Sequence, residues 1–354
     1  MAYTTINKPS DYFNTKLYTG NGSTQSITGV GFQPDWVWIK NRTAAENHFI
    51  FDSVRGALNA LKSNSNGAAG DTADSLTAFT SDGFNLGNLA DTNRSGNAVA
   101  SWNWKAGGTA SSNTDGSITS TVSANTTSGF SIVSYTSTGS NATVGHGLGV
   151  APAMIIFKRR SGDTENWVVY HKSLGATKNI KLNLTDAVST SSTRFNDTEP
   201  TSSVFSLGTS GDTNGGTSPF IAYCFAEKTG FSKFGSYTGA GSNLPFIYTG
   251  FKPAFVMIKR SSNTDNWYMK DNKRSGTAAL QNFGQMNPNQ TQHPSANNNN
   301  AENKASDFAT DILSNGFKFR GTDSGINQSG ETYIYMAFAE APLVGSNNVP
   351  CTAR

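Results

Sequence analysis

The residues of this chain that could do chemistry are few and scattered. There are four histidines, His48, His146, His171 and His293. His48 and His171 stand in similar stretches, with Glu46, Asp52 and Glu165 close by in sequence, the beginnings of a triad. No nucleophile sits on a Gly-x-Ser-x-Gly turn to complete one. Neither a His-Glu-x-x-His motif nor a Cys-x-x-Cys pair is there to hold zinc. Glu227 and Glu340 are carboxylates of the kind that cleave glycosidic bonds in pairs. They occupy equivalent positions at the ends of two related apolar stretches, which reads as strand-end polarity rather than as one site. The turns "YTGNGS" and "YTGAGS" lack the Lys-Ser/Thr ending of a phosphate loop and lead into strands. The acidic-polar loops "GDTADS" (70–75), "DTNRSG" (91–96) and "SGDTNGG" (210–216) offer calcium-type oxygens without the spacing of a calcium loop. The expectation is a chain without catalytic residues, cofactor or metal: not an enzyme.

What remains is binding chemistry. Trp167 and Trp267 each follow an Asn in matching polar hairpins. An exposed indole there would stack on a sugar ring, and the competing reading is a buried strand residue. Residues 277–306, "TAALQNFGQMNPNQTQHPSANNNNAENKAS", are rich in Asn and Gln. So polar a stretch predicts a long surface loop whose amides suit glycan hydroxyls or another chain. The candidate partner contacts are therefore Trp167, Trp267, Asn289, Gln292, Asn298 and Asn299.

The elements that must position these residues are strands. Charged residues make up only 14% of the 354 residues, and the polarity comes from Ser, Thr, Asn and 36 Gly. That mixture disfavours helices, because short polar side chains compete for backbone hydrogen bonds and Gly costs entropy. The 22 Phe, 11 Tyr and 6 Trp supply enough apolar surface to exclude disorder. A net charge of +3 is too small and too evenly spread to call for nucleic acid. Lys158-Arg159-Arg160 and Lys259-Arg260 fall where apolar strands end and read as solvated strand ends. Two cysteines make no disulfide framework, and Cys224, inside "FIAYCFAE", reads as a small buried hydrophobe. The N-terminus has no signal-peptide pattern, and no apolar run is long enough for a spanning helix. The expectation is a soluble protein made in a cytosol, with no membrane insertion.

Self-comparison organises the chain. Residues 18–40 read "YTGNGSTQSITGVGFQPDWVWIK", 135–158 "YTSTGSNATVGHGLGVAPAMIIFK" and 237–259 "YTGAGSNLPFIYTGFKPAFVMIK". Each copy then has a polar hairpin before an Asn-aromatic pair. Each closes on an apolar stretch, "GNAVASWNWK", "SPFIAYCFAE" or "ETYIYMAFAE". Trp36, Trp38, Phe255 and Met257 take one face of a strand, and Val37, Ile39, Val256 and Ile258 the other, so these strands are covered on both sides. Asp82-Gly83 and Asn315-Gly316 are type I′ hairpin dipeptides. "DSVRGALNALKS" (52–63) could be a helix, but its counterpart alternates Ile180, Leu182 and Leu184, a strand period. Phe32, Leu148 and Phe251 are expected to be buried equivalents.

The fold expected is all-β: three divergent tandem β-sandwich-like repeats, with a single pseudo-three-fold β-prism-like assembly as the alternative. The divisions are an N-terminal arm (1–12), repeat 1 (13–108), a linker or extra hairpin (109–129), repeat 2 (130–229), repeat 3 (230–341) with the 277–306 insertion, and a tail (342–354).

The Tyr-Thr-Gly-x-Gly-Ser … Gly-Phe-x-Pro-x-x-Val-x-Ile-Lys pattern resembles a family of virion structural proteins of marine tailed bacteriophages, the tail or tail-fibre proteins. Residues 13–40, 130–170 and 231–270 carry it, and "YIYMAFAEAPLVGSNNVPCTAR" resembles the family's C-terminal ending. The resemblance implies a place in the virion beside other virion proteins, and host attachment through a cell-surface glycan or protein. A capsid decoration protein is the alternative, and a polysaccharide-degrading enzyme a more distant one. A homo-oligomer, a trimer by analogy with fibres, is the implied state.

Overall fold

The computed structural model describes residues 3–162, 164–274, 292–293, 295–304, 308–347 and 349–351, and among these every element longer than four residues is a strand. The chain is all-β, with three sandwich-like units in tandem. Each unit has a main antiparallel sheet ordered opening, closing, lysine and return strand. In unit 1 these are Phe13–Thr19, Ala98–Trp104, Trp36–Asn41 and His48–Asp52. In unit 2 they are Phe130–Thr136, Pro219–Phe225, Met154–Arg159 and Val168–His171. In unit 3 they are Ser232–Thr238, Thr332–Pro342, Phe251–Arg260 and Trp267–Asp271. The first and last strands of a unit thus lie side by side (Phe13 opposite Trp104, Phe130 opposite Phe225, Ser232 opposite Phe338), so each unit closes on itself.

A smaller outer sheet covers one face of each main sheet. It pairs Gln25–Ile27 with Gly83–Leu86, Ala142–Gly145 with Val204–Leu207, and Phe246–Tyr248 with Gly316–Phe319. The pleat sends alternate side chains to opposite faces. Val37 and Ile39 meet Phe84 and Leu86 under the outer sheet of unit 1, while Ile155 and Phe157 meet Phe205 and Leu207 in unit 2. The other faces merge into a single cluster shared by all three units, with Trp36, Trp104, Tyr223, Phe225, Phe255 and Phe338 at its centre. Trp36 lies 4.5 Å from Trp104 and 4.7 Å from Tyr223, ring centroid to centroid, and Phe13 stacks on Phe338 at 5.3 Å. Phe32, Leu148, Phe251 and Cys224 are all buried.

The junctions between units repeat one device. Lys158 Nζ donates to Glu165 O in its own hairpin at 2.7 Å and to Asn66 O of unit 1 at 2.8 Å. Lys259 Nζ donates to Asp265 O at 2.8 Å and to Thr185 O of unit 2 at 3.0 Å. Lys40 Nζ donates to Glu46 O at 2.6 Å and to Asn299 O of unit 3 at 3.2 Å. Unit 2 therefore leans on unit 1, unit 3 on unit 2, and unit 1 on unit 3. The units are tandem in sequence and close head to tail in space. Lys158 and Lys259 are not solvated strand ends but fully buried. Their strands do end there, but against the carbonyls of the neighbouring unit rather than water.

Residues 52–63 and their counterpart contain the strands Asn59–Lys62 and Lys178–Lys181. Residues 109–129 contain a hairpin, Ser111–Asn113 with Ser120–Asn125, which extends the main sheet of unit 2. The outer-sheet hairpins differ from the type I′ expectation. Thr80 pairs with Gly83 and Leu313 with Gly316, so the loops are Ser81-Asp82 and Ser314-Asn315, and none of these four residues has positive φ. Gly316 serves close approach alone, and Gly83 combines close approach with a φ of 153°. A Cβ on Gly83 would lie 1.9 Å from Ile27 O, and one on Gly316 would lie 2.1 Å from Ile247 O.

Candidate functional site

The return strand of unit 3 begins at Asn266-Trp267-Tyr268, and what holds it is an asparagine clamp. Asn297 Oδ1 accepts from Trp267 N at 2.9 Å, and Asn297 Nδ2 donates to Asn266 Oδ1 at 2.9 Å. Asn183 makes the same two bonds to Trp167 N and Asn166, and Asn64 makes them to His48 N and Asn47. The paired asparagines are 17 residues apart in units 1 and 2 and 31 apart in unit 3. Residues 295–298 are consequently not part of a surface loop. Ser295 bridges to Tyr268, and Ala296 and Asn297 are buried, so this piece of the Asn-rich stretch is a return to the core. The sequence hid it because its apolar content is a single Ala.

Beside the clamp lies a cleft of about 200 Å³ lined by Asn266, Tyr268, Ser295, Asn298, Phe308 and Asp323, with Asn300 and Ala301 at its edge. The Tyr268 ring is tilted at 52° against Phe308, centroids 4.7 Å apart. The ring has room because residue 325 is glycine, where a Cβ would fall 2.2 Å from the ring edge. The corresponding turn of unit 1 carries Asp91, which accepts from Asn47 N and Nδ2 at 3.2 and 3.1 Å. Burial, helped by Asp265, which accepts the phenol hydrogen bond at 2.7 Å, raises the Tyr268 pKa. Asp323 accepts from Gly325 N at 2.7 Å, which fixes its carboxylate at the rim. Below, Lys270 donates to Phe308 O at 2.7 Å, and burial, with Arg274 nearby, lowers its amine to about 7. The lining is two aromatic rings, planar amides, a hydroxyl and a carboxylate.

Of the residues singled out by sequence, Asn298 lines this cleft and donates to Asn266 Oδ1 at 3.3 Å. Asn299 is exposed, and its carbonyl receives Lys40. Gln292 pairs through its backbone with Lys304, and Asn289 lies outside the described residues. Trp167 and Trp267 are not available to a partner, since both are buried. The Trp167 indole donates to Lys62 O at 2.9 Å in unit 1, and the Trp267 indole to Lys181 O at 2.9 Å in unit 2. They are the pegs of the junctions, and a hairpin that looks exposed in one unit is covered by the next. His48 is the third peg. Trp38 donates to its Nδ1 at 2.9 Å, leaving the proton on Nε2, which faces the Ser295 carbonyl without closing a full hydrogen bond.

The remaining candidates are structural too. His171 is buried, and burial lowers it to about 4; its Nε2 meets Tyr335 O at 3.1 Å across the junction between units 2 and 3. Glu227 pairs with Lys172 and Lys233, while Glu340 pairs with Lys252. Two acidic loops turn out to be Asn pins. Asn93 Nδ2 reaches Ser23 O at 2.5 Å and Gly87 O at 2.7 Å, and Asn214 Nδ2 reaches Ser140 O and Gly208 O at 2.6 and 2.7 Å. Asn327, in unit 3, does the same with Gly241 O and Gly321 O. The signal for these pins, an Asn placed just before each closing strand, was present in all three copies. Buried Asp52–Arg55 and Asp271–Arg274 pairs also went unread. Asp52 accepts from Tyr223 at 2.7 Å, and Asp271 from the Trp102 indole at 3.0 Å, each across a junction.

Among the described residues no group of three or more His, Cys, Asp or Glu could hold a metal ion, and no helix is long and apolar enough to cross a membrane. A family model described as Domain of unknown function (DUF7483) matches residues 8–342. No curated protein and no solved structure matches the chain.

Proposed function

The chain belongs to the DUF7483 family, and we propose that it is a non-enzymatic virion structural protein that attaches to a host-surface glycan through the cleft of unit 3. The observation that carries this reading is the cleft lining. The planar amides of Asn266, Asn298 and Asn300, the Ser295 hydroxyl and the fixed Asp323 carboxylate suit the hydroxyls of a sugar, and the buried rings of Tyr268 and Phe308 back them. At about 200 Å³ the cleft is below the roughly 300–1,000 Å³ of pockets for drug-sized ligands and suits a terminal sugar. The shared core and buried junctions supply a rigid carrier, and the tail-fibre-like repeat pattern supplies the virion context.

The test is saturation-transfer NMR and calorimetry of the purified protein with host-surface polysaccharide. We expect binding that weakens at least tenfold in Asn298→Ala and Asn300→Ala, with the melting temperature nearly unchanged. No binding, or binding equal in wild type and both variants, overturns the reading. Retention on the capsid shell after removal of tails would support the decoration role instead.

A further inference from the structure

The three units treat one edge of their outer sheets differently. In unit 2 the edge strand Ala142–Gly145 is covered by the chain itself. Ile118 bridges in parallel to Val144, Ile118 N donates to Thr143 O at 3.0 Å, Ser120 Oγ donates to Gly145 O at 3.0 Å, and Ile118 is buried. In unit 1 the equivalent strand Gln25–Ile27 has no second neighbour among the described residues, and it carries exposed Ser26 with Thr28 just beyond. In unit 3 the equivalent strand is Phe246–Tyr248, paired on one side with Gly316–Phe319 and on the other with no strand among the described residues. At the positions of Ser26 and Thr28 it carries Phe246, 44% exposed, and Tyr248, 53% exposed. Ile247 between them is buried. The Tyr3 hydroxyl donates to Gly250 O beyond the strand's end and meets the Tyr248 hydroxyl, and with Tyr3 in place Tyr248 is still 53% exposed.

We propose that this edge is where a second copy of the chain docks, strand Phe246–Tyr248 against the same strand of its partner. The sequence is self-complementary about Ile247. A two-fold axis there requires antiparallel pairing, and it sets Phe246 of each copy opposite Tyr248 of the other, two aromatic cross-strand pairs from one interface. The flanks permit it. Residues 243–251, "NLPFIYTGF", contain no charge, whereas proteins that keep such edges free place Lys or Glu on them. Unit 2 shows that the outer sheet accepts a further backbone bridge at this edge, there a single parallel one from the chain itself. Three residues a side is short, so the contact is a weak one, with a dissociation constant of about 10–500 μM, as suits an interface below the roughly 1,200 Å² of standard ones. In an assembly that presents many copies, that is sufficient to link neighbours.

Sedimentation of the full chain from 5 to 500 μM tests this (about two decades around the expected constant). Wild type should move from monomer to dimer. The double variant Phe246→Ser/Tyr248→Thr, which installs the unit 1 side chains, should associate at least tenfold more weakly, with its melting curve unchanged. Tyr248→Lys, which brings two like charges close to the axis, should do the same. Wild type that stays monomeric, forms trimers, or associates as strongly as both variants overturns the proposal.

Discussion

Lys40, Lys158 and Lys259 each spend a buried ammonium on two backbone carbonyls, one in their own unit and one in the next. Burial lowers all three to about 8, against the pull of the nearby carboxylates of Glu46, Glu165 and Asp265. The native state therefore holds fewer protons than the unfolded chain between pH 8 and the ordinary lysine value near 10.4. Stability then rises with pH across that window. Lys270, lowered to about 7, adds to the rise. The Cys224 thiol, raised by burial, opposes it from about pH 9, and the buried tyrosines oppose it at higher pH still. Between pH 7 and 9 each junction lysine is expected to contribute about 1 kcal/mol of added stability. Urea titrations at pH 7, 8 and 9 check the slope, and Lys259→Met should flatten it. The same variant should lower stability at pH 7 by about 2–4 kcal/mol, because it leaves the Thr185 and Asp265 carbonyls unpaired. A midpoint that falls with pH in wild type would contradict the assignment. These lysines were legible as the last residue of each copy's strand motif. That they are buried was not, because the atoms that bury them belong to another copy.

At the scale of elements, the repeat carried most of what could be read. It set Asn59–Lys62 as a strand where local propensity favoured a helix, and it predicted two apolar faces on the lysine strands. It failed where the decisive contact is backbone to backbone. Asp82-Gly83 carries the composition of a type I′ turn, yet the loop sits one residue earlier. Asp82 instead turns its carboxylate onto Gly29 N and Gly31 N at 2.8 and 2.7 Å, and those two bonds hold its pKa down. Gly83 and Gly316 are needed because the neighbouring strand's carbonyl occupies the Cβ position. Composition cannot distinguish that need from a need for positive φ. The two differ in a measurable way. Gly316→Ala must displace the edge strand Phe246–Tyr248, and we expect a loss of about 3 kcal/mol in denaturant titration, at the upper end of the range for overpacked sites. Gly330→Ala has positive φ and open space around it, so its cost is the backbone strain alone, about 1–2 kcal/mol. A Gly316 variant no worse than the Gly330 variant would show that the outer sheet yields easily. The clamp asparagines were half legible. The first member of each pair stands in the repeated hairpin, but Asn297 is displaced by the longer spacing and submerged among other asparagines.

For the whole molecule, the decisive feature is that the inner faces of three main sheets form one cluster. Below each outer sheet lies a separate core in units 1 and 2, which would allow three independent domains if nothing else joined them. The axial cluster and the three head-to-tail junctions join them. Removing any one unit exposes Trp36, Phe225 or Phe338 and their neighbours to water, together with two of the three junctions. Pegs such as Trp267, buried and hydrogen-bonded into the preceding unit, work for two units at once. Unfolding should accordingly be one transition, although 354 residues exceed the usual two-state domain size of roughly 150. Scanning calorimetry is expected to give a single peak with calorimetric and van't Hoff enthalpies in agreement. Trp267→Ala, at about 3–5 kcal/mol for a buried aromatic, should move that whole peak down without splitting it. Residues 130–229 expressed alone should lack a cooperative transition, since one face of their main sheet has lost its cover. Three resolved peaks, or a cooperatively folded unit 2 on its own, would mean that the junctions only decorate three self-sufficient sandwiches. The energetic weight would then lie under the outer sheets and not on the axis.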